Sequence, residues 1–113
     1  MSNNREKGKE AENKAVEFLK KDGYQIIERN LTAPCGEIDV IALKNGFYVF
    51  FEIKSRKSDK FGLPQESVTF FKQQRIRKSA LYYLQKNKAL EAKCRFDVIA
   101  IIGENITHIE DAF

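Results

Sequence analysis

The pattern of hydrophobic and polar positions predicts a β-hairpin in the stretch 36–56, which reads GEIDVIALKNGFYVFFEIKSR. Two runs rich in β-branched and aromatic residues flank the dipeptide Asn45-Gly46. Asn-Gly is the strongest short-range signal for a two-residue hairpin turn. A turn centred on this dipeptide sets Ile41 opposite Phe50 and fixes the antiparallel register of the whole hairpin.

This register also predicts that two acids face each other across the hairpin. Asp39 lies opposite Glu52, and Lys54 shares their face because side chains two residues apart on a strand point the same way. Like charges directly opposite each other repel, and burying them without partners costs further free energy. We therefore expect a positive group between the carboxylates, which is either the Lys54 ammonium or a divalent cation.

Outside the hairpin, apolar residues at helical spacing predict two helices. The first is expected over 5–21 and the second over 70–85, with Thr69 as its N-cap. Further strands are expected over 24–30, 95–102 and 106–110, and a loop over 57–65. The order α-β-β-β-α-β-β predicts an α/β fold in which helices flank a mixed sheet.

The length and composition favour a single domain. The chain has 113 residues, 42% of them hydrophobic, and nine Phe, which suffices for one core. We expect one domain over 1–113 with a flexible tip at 1–4. The polar start is unlike a signal peptide and the apolar runs are too short to span a bilayer, so we expect a soluble, cytoplasmic protein without a membrane partner.

The cysteines and the histidine exclude one kind of metal site. Cys35, Cys94 and His108 cannot supply the four nitrogen and sulfur ligands of structural zinc, and we expect His108 at the surface without a chemical role. The formal charge of +4 and pI of about 9.1 permit a polyanionic partner without requiring one.

Glu12 has an unusual position on the first predicted helix. It shares a stripe with Val16 and Leu19, so it is expected to face inward, towards the sheet. From there it could join the two hairpin acids in a cluster of three carboxylates and one ammonium. The alternative is that Glu12 pairs with a lysine at the edge of the core.

A cluster of carboxylates beside a lysine suits a hard cation. Asp39 and Glu52 can ligate Mg²⁺, with Mn²⁺ as a substitute, and the Ile53 carbonyl could add a ligand. Lys54 would then lie near the attacking water or the phosphate, which describes a site for phosphodiester hydrolysis. The alternative is a structural role, with Lys54 in a cross-strand salt bridge to Glu37.

Basic residues follow these positions along the sequence and could bind a nucleic-acid backbone. The alternative is an ordinary solvated helix face. They lie at the strand end, in the loop and on the second helix: Arg56, Lys57, Lys60, Lys72, Arg75, Arg77 and Lys78.

Motifs along nearly the whole chain resemble the YraN family of small bacterial proteins. They are Gly8-x-x-x-Glu12, Gly23-Tyr24, Arg29-Asn30, GEIDVIA, FFEIKSR, Phe61-Gly62-x-Pro64 and RFDVIAI. Through that family the chain is similar to the PD-(D/E)XK nuclease superfamily and its archaeal Holliday-junction resolvases. The resemblance implies a restriction-endonuclease-like core.

The resemblance also implies roles for particular residues. Asp39 matches the first acid of the superfamily motif, Glu52 the second acid, Lys54 the lysine, and Glu12 the glutamate of the first helix. Ile38 stands where the motif has its proline. The implied function is Mg²⁺-dependent cleavage of branched or structured DNA, with a homodimer as one arrangement for cutting two strands. The alternative is a non-catalytic module that binds nucleic acid or another partner.

Overall fold

The computed structural model describes residues 4–58, 60 and 62–113, and within them the chain forms two α-helices, one 3₁₀ helix and five strands. The α-helices are α1 (Asn4–Lys21) and α2 (Phe70–Lys86), and the 3₁₀ helix is Pro64–Ser67. The strands are β1 (Gln25–Ala33), β2 (Gly36–Lys44), β3 (Phe47–Arg56), β4 (Lys93–Ile102) and β5 (Asn105–Ile109). Of the predicted flexible tip, residues 1–3 lie outside the described residues, whereas residue 4 begins α1.

The strands form one mixed sheet in the order β1-β2-β3-β4-β5. All neighbouring strands pair antiparallel except β3 and β4, which are parallel. Helix α2 lies in the long connection between these two strands, as a parallel crossover requires. The predicted α/β fold with a mixed sheet flanked by helices is confirmed.

The predicted hairpin register is also confirmed over most of its length. Ile41 pairs with Phe50, and positive φ angles of 52° at Asn45 and 81° at Gly46 give the turn its left-handed backbone. Along the described strands, however, the Cα pairing of β2 with β3 ends at Val40 and Phe51. The two facing acids therefore lie just beyond the end of the ladder.

Each face of the sheet carries one helix and one hydrophobic cluster. The α1 cluster includes Val40 and Phe51, whereas the α2 cluster includes Ile41 and Phe50. Ile38 also belongs to the α2 cluster, although it precedes Ile41 by three residues. Strict alternation of faces thus fails between these two isoleucines, which is where Asp39 lies.

Local differences from the predicted elements follow from tertiary pairing and turn chemistry. β1 extends to Ala33 because it pairs with β2 up to Gly36, beyond the predicted end at residue 30. The predicted loop over 57–65 ends in the 3₁₀ helix, which begins at a proline, a residue that suits the first helical position. In the described part of the chain, neither α-helix has an apolar stretch that could span a bilayer.

Candidate functional site

An open cavity lies between β2, β3 and the first turns of α2. Its volume is about 660 Å³, and Asp39 and Glu52 both contribute to its wall. From α2 the lining includes Phe71, Lys72 and Arg75. The structure therefore brings the two hairpin acids to one cavity, together with basic side chains that are distant in sequence.

Glu52 is the buried acid of this cavity, with 6% of its surface exposed. Its Oε1 lies 2.6 Å from Lys72 Nζ and 3.5 Å from Lys54 Nζ. The prediction that Lys54 shares a face with Glu52 is confirmed. Lys72, predicted as a nucleic-acid contact, forms the closer ion pair with the acid.

Asp39 is held by the backbone of β3. The Ile53 N–H donates a 2.8 Å hydrogen bond to Asp39 Oδ2, which positions the carboxylate between the two diverging strands. Burial, and next the neighbouring Glu52 carboxylate, raise the pKa of Asp39 to about 7. The Asp39 carboxyl group therefore titrates near neutral pH, and a cation close to it would favour its charged form.

The two lysines beside Glu52 differ in their affinity for protons. Burial, and next the adjacent Lys72 ammonium, lower the pKa of Lys54. Burial also opposes the charge of Lys72, but its hydrogen bonds, with that to Glu52 foremost, outweigh this effect and raise its pKa. Lys72 is thus the persistent cation, and Lys54 is the amine that gives up its proton more easily.

Glu12 faces inward as predicted, but its carboxylate is engaged on the α1 side of the sheet. Its Oε1 accepts hydrogen bonds from Arg29 Nε at 2.8 Å and Asn30 Nδ2 at 3.0 Å. Glu12 lines a second cavity, of about 980 Å³, with Asp39 and Ile53. Asp39 is therefore common to both cavities, while Glu12 and Glu52 approach it from different sides.

The predicted cluster of three carboxylates is not assembled as one ligand set. Among residues 4–58, 60 and 62–113, no group of three or more His, Cys, Asp or Glu side chains is arranged to hold a metal ion. The anticipated lysine partner of Glu12 is Arg29 in the structure. The cavity wall brings Asp39 and Glu52 together and also includes Glu37.

The predicted basic residues divide into several groups. Lys72 and Arg75 line the cavity, and Arg75 Nε also donates to the Cys35 carbonyl at 3.2 Å. The Arg77 guanidinium lies 4.8 Å from the Phe96 ring centre, so Arg77 packs on the α2 cluster at Phe96. The remaining four are exposed along the end of β3, the following loop and α2: Arg56, Lys57, Lys60 and Lys78.

Some features of the site could not be predicted from the sequence. No sequence pattern indicated that Phe71 lies at the cavity or that Arg29 forms hydrogen bonds to α1. Arg29 does belong to one of the motifs quoted above. Phe61, part of another quoted motif, lies outside the described residues.

The prediction of a surface position for His108 is wrong. Its side chain is largely buried, and its Nε2 lies 2.6 Å from Asp97 Oδ2. Arg95 donates to the same carboxylate from Nε and Nη2, and its Nη2 also contacts Tyr24 Oη at 2.5 Å. These residues form a second charged cluster, which links β4 and β5 to Tyr24, three residues after the end of α1.

Comparison with known proteins assigns the chain to a family. The model of the uncharacterised protein family UPF0102 matches residues 11–101. A UPF0102 protein from Thermodesulfovibrio yellowstonii is 51% identical, with 96% of each chain covered. A UPF0102 protein from Persephonella marina is 47% identical over 95% of this chain and 92% of its own length. The cavity that Asp39, Glu52 and Lys72 line thus lies in a chain that belongs to the UPF0102 family.

Proposed function

We propose that the chain is a metal-dependent endonuclease with a restriction-endonuclease-like fold of the PD-(D/E)XK type. One observation carries this proposal: Asp39 and Glu52 line a single open cavity, and burial with the second carboxylate raises the pKa of the first to about 7. Strongly perturbed acids in an open cavity are typical of sites that bind a cation or catalyse proton transfer. The parallel β3–β4 pair with its α2 crossover is compatible with this fold class.

The donor set fits Mg²⁺, or Mn²⁺ as a substitute. Mg²⁺ commonly binds through one or two carboxylates together with substrate phosphates and waters, and the cavity wall includes Asp39, Glu52 and also Glu37. Asp39 and Glu52 would hold the ion, with the Ile53 carbonyl as an additional ligand. Bound there, Mg²⁺ would supply Lewis-acid polarisation of the scissile phosphate and of a water. Glu12 would act from the α1 side, by orienting water near Asp39.

The lysines would contribute proton transfer and charge stabilisation. Burial and the adjacent Lys72 lower the pKa of Lys54, which would accept a proton from the attacking water. The pKa of Lys72 is raised, and its ammonium would stabilise negative charge that develops on the phosphate. The close Lys72–Glu52 ion pair keeps both side chains at the cavity before the substrate arrives.

Nucleic acid, and DNA in particular, is the proposed substrate. The exposed basic residues at the end of β3 and on α2, with Arg75 at the cavity, would position the phosphate backbone. Branched or structured DNA is the proposed form, and a homodimer would allow two strands to be cut.

A second candidate is a non-catalytic module that binds nucleic acid or another partner. The 2.6 Å contact between Lys72 and Glu52 favours this reading, because the ammonium neutralises the buried acid without a metal ion. The two candidates predict the same binding surface and differ in whether the phosphodiester bond is cut.

A cleavage assay separates the two candidates. Labelled four-way junctions, flaps, duplexes, single strands and RNA would be incubated with Mg²⁺, Mn²⁺ or EDTA. We expect metal-dependent cleavage of a structured DNA by the wild type, and none by Asp39→Asn or Glu52→Gln. Glu104→Gln is the matched control, because it removes one exposed carboxylate that pairs with Lys14. If no substrate is cut with either metal, the binding module replaces the nuclease.

A further inference from the structure

Two adjacent phenylalanines at the start of α2 are exposed to solvent. Phe70 is 74% exposed and Phe71 is 73% exposed, the highest values for large apolar side chains in the part of the chain that the structure describes. Single exposed apolar residues are common on protein surfaces, but two neighbouring aromatic rings form a patch. Such a patch at the edge of a candidate active site indicates a binding surface.

The patch is continuous with the cavity and with positive charge. Phe71 lines the cavity together with Lys72 and Arg75. Arg75 and Lys78 follow Phe71 by four and seven residues, so helical periodicity places them on its stripe. The surface therefore begins with aromatic rings and continues with two exposed cations along the helix.

The first turn of α2 is fixed by its N-cap. Thr69 Oγ1 accepts from the Lys72 N–H at 3.2 Å, and the Thr69 carbonyl accepts from the Gln73 N–H at 2.8 Å. A capped turn holds the backbone beneath both phenylalanines in one conformation. A ligand that stacks on the rings then loses less conformational entropy than it would on a mobile loop.

We propose that Phe70 and Phe71 form a stacking platform for unpaired nucleobases beside the cleavage site, and that Arg75 and Lys78 bind the adjoining phosphates. The inference rests on the proposed function and specifies its substrate class, a nucleic acid with unpaired or unstacked bases next to the bond that is cut. Aromatic side chains bind every base through its flat face, and alanine substitution of such a ring weakens binding by about fivefold to 150-fold per base.

Charge favours a polyanion over a second copy of the chain at this surface. Related copies packed through the two phenylalanines would bring their Lys72, Arg75 and Lys78 side chains close together, and like charges repel. A nucleic acid offers flat apolar bases to the rings and negative phosphates to the same cations. Both components of the patch are then satisfied by one ligand.

Binding measured in EDTA tests the platform independently of cleavage. The probes are a fluorescein-labelled single strand, a flapped duplex and a blunt duplex, followed by anisotropy. We expect Phe71→Ala to weaken binding of the first two by about tenfold or more, and binding of the blunt duplex by less than about twofold. Phe71→Trp should retain the affinity. Leu81→Ala is the control, because Leu81 is a 57% exposed apolar residue farther along the same helix.

Two further measurements make the result decisive. A 2-aminopurine base in the unpaired segment should be quenched by the wild type and by Phe71→Trp but not by Phe71→Ala. Unchanged single-strand binding by Phe70→Ala and Phe71→Ala would overturn the platform. Sedimentation that shows a wild-type dimer and a Phe71→Ala monomer, with unchanged DNA binding, would assign the patch to self-association instead. Absence of cleavage would not affect these results, so failure of the nuclease proposal and failure of the platform are distinguishable.

Discussion

Asp97 and Asp39 are acids on strands of the same sheet, and their pKa values are shifted in opposite directions. Asp97 is 0% exposed, yet Arg95, His108 and the Asp111 N–H all contact its carboxylate. Burial opposes its charge, but these hydrogen bonds prevail and lower its pKa. At Asp39, burial and Glu52 prevail over one backbone hydrogen bond and raise the pKa.

The difference separates a structural acid from a candidate functional one. The Asp97 cluster is closed and its charges are compensated, so it stabilises the packing of β4 against β5. The Asp39 cavity is open and keeps carboxylates close together, which costs stability in the absence of a ligand. Local electrostatic repulsion that opposes folding is expected where a site serves binding or chemistry rather than stability.

The largest expected effect is the loss of stability when the structural acid is removed. Asp97→Ala should lower the free energy of unfolding by about 3–5 kcal/mol, because it leaves the partly buried Arg95 and His108 without their shared partner. Asp39→Ala should cause no comparable loss, because it removes the repulsion between Asp39 and Glu52. Urea denaturation at pH 7 measures both, and equal losses would remove the distinction between the two acids.

A large effect on chemistry is expected at Lys54. Lys54→Ala should reduce turnover on saturating DNA by about a hundredfold or more, while affinity changes little because many charges share the binding. Lys57→Ala, which removes an exposed cation a few residues away, is the control. A wild-type rate for Lys54→Ala under saturating conditions would indicate a structural lysine.

The pH dependence of stability should reveal the raised pKa of Asp39. Because the folded-state pKa of about 7 exceeds the ordinary value of 3.8, this group's contribution to stability is greatest below pH 4 and decreases until about pH 7. Relative to Asp39→Asn, the wild type should lose about 1–3 kcal/mol over that interval. Parallel pH profiles of the two proteins in metal-free denaturation experiments would contradict the shift.

The smallest effects are expected from the basic residues that are proposed to bind phosphate. Arg75→Ala and Lys78→Ala should each lower the slope of log affinity against log salt by about one unit, with little sequence dependence. Arg77→Ala should leave the slope nearly unchanged, since Arg77 packs on Phe96. Salt titrations of DNA binding measure these slopes.

The parts of the molecule that depend on local periodicity were predictable from sequence. The Asn45-Gly46 turn fixed the hairpin register, and helical spacing with the Thr69 cap located α2 within a residue. Strand alternation alone predicted that Lys54 shares a face with Glu52. These predictions succeeded because each depends on residues close together in the chain.

The remaining features depend on contacts between distant segments. The alternation of side chains along β2 could not predict that the hairpin ladder ends before Asp39. The end of the ladder depends on how β2 packs between the α1 cluster and the α2 cluster. Charge patterns alone could not distinguish Lys72, which pairs with Glu52, from Lys78, which is exposed. Similarly, Glu12 was expected to join the other acids, but its pairing with Arg29 is a contact between α1 and β1.

The most direct test of the central claim is a crystal structure with Mn²⁺, recorded with anomalous diffraction. The account predicts a manganese peak between Asp39 and Glu52, roughly 2 Å from an oxygen of each, with Lys72 displaced from its 2.6 Å contact with Glu52. A cavity without an anomalous peak at millimolar Mn²⁺, with the Lys72–Glu52 ion pair intact, would contradict it.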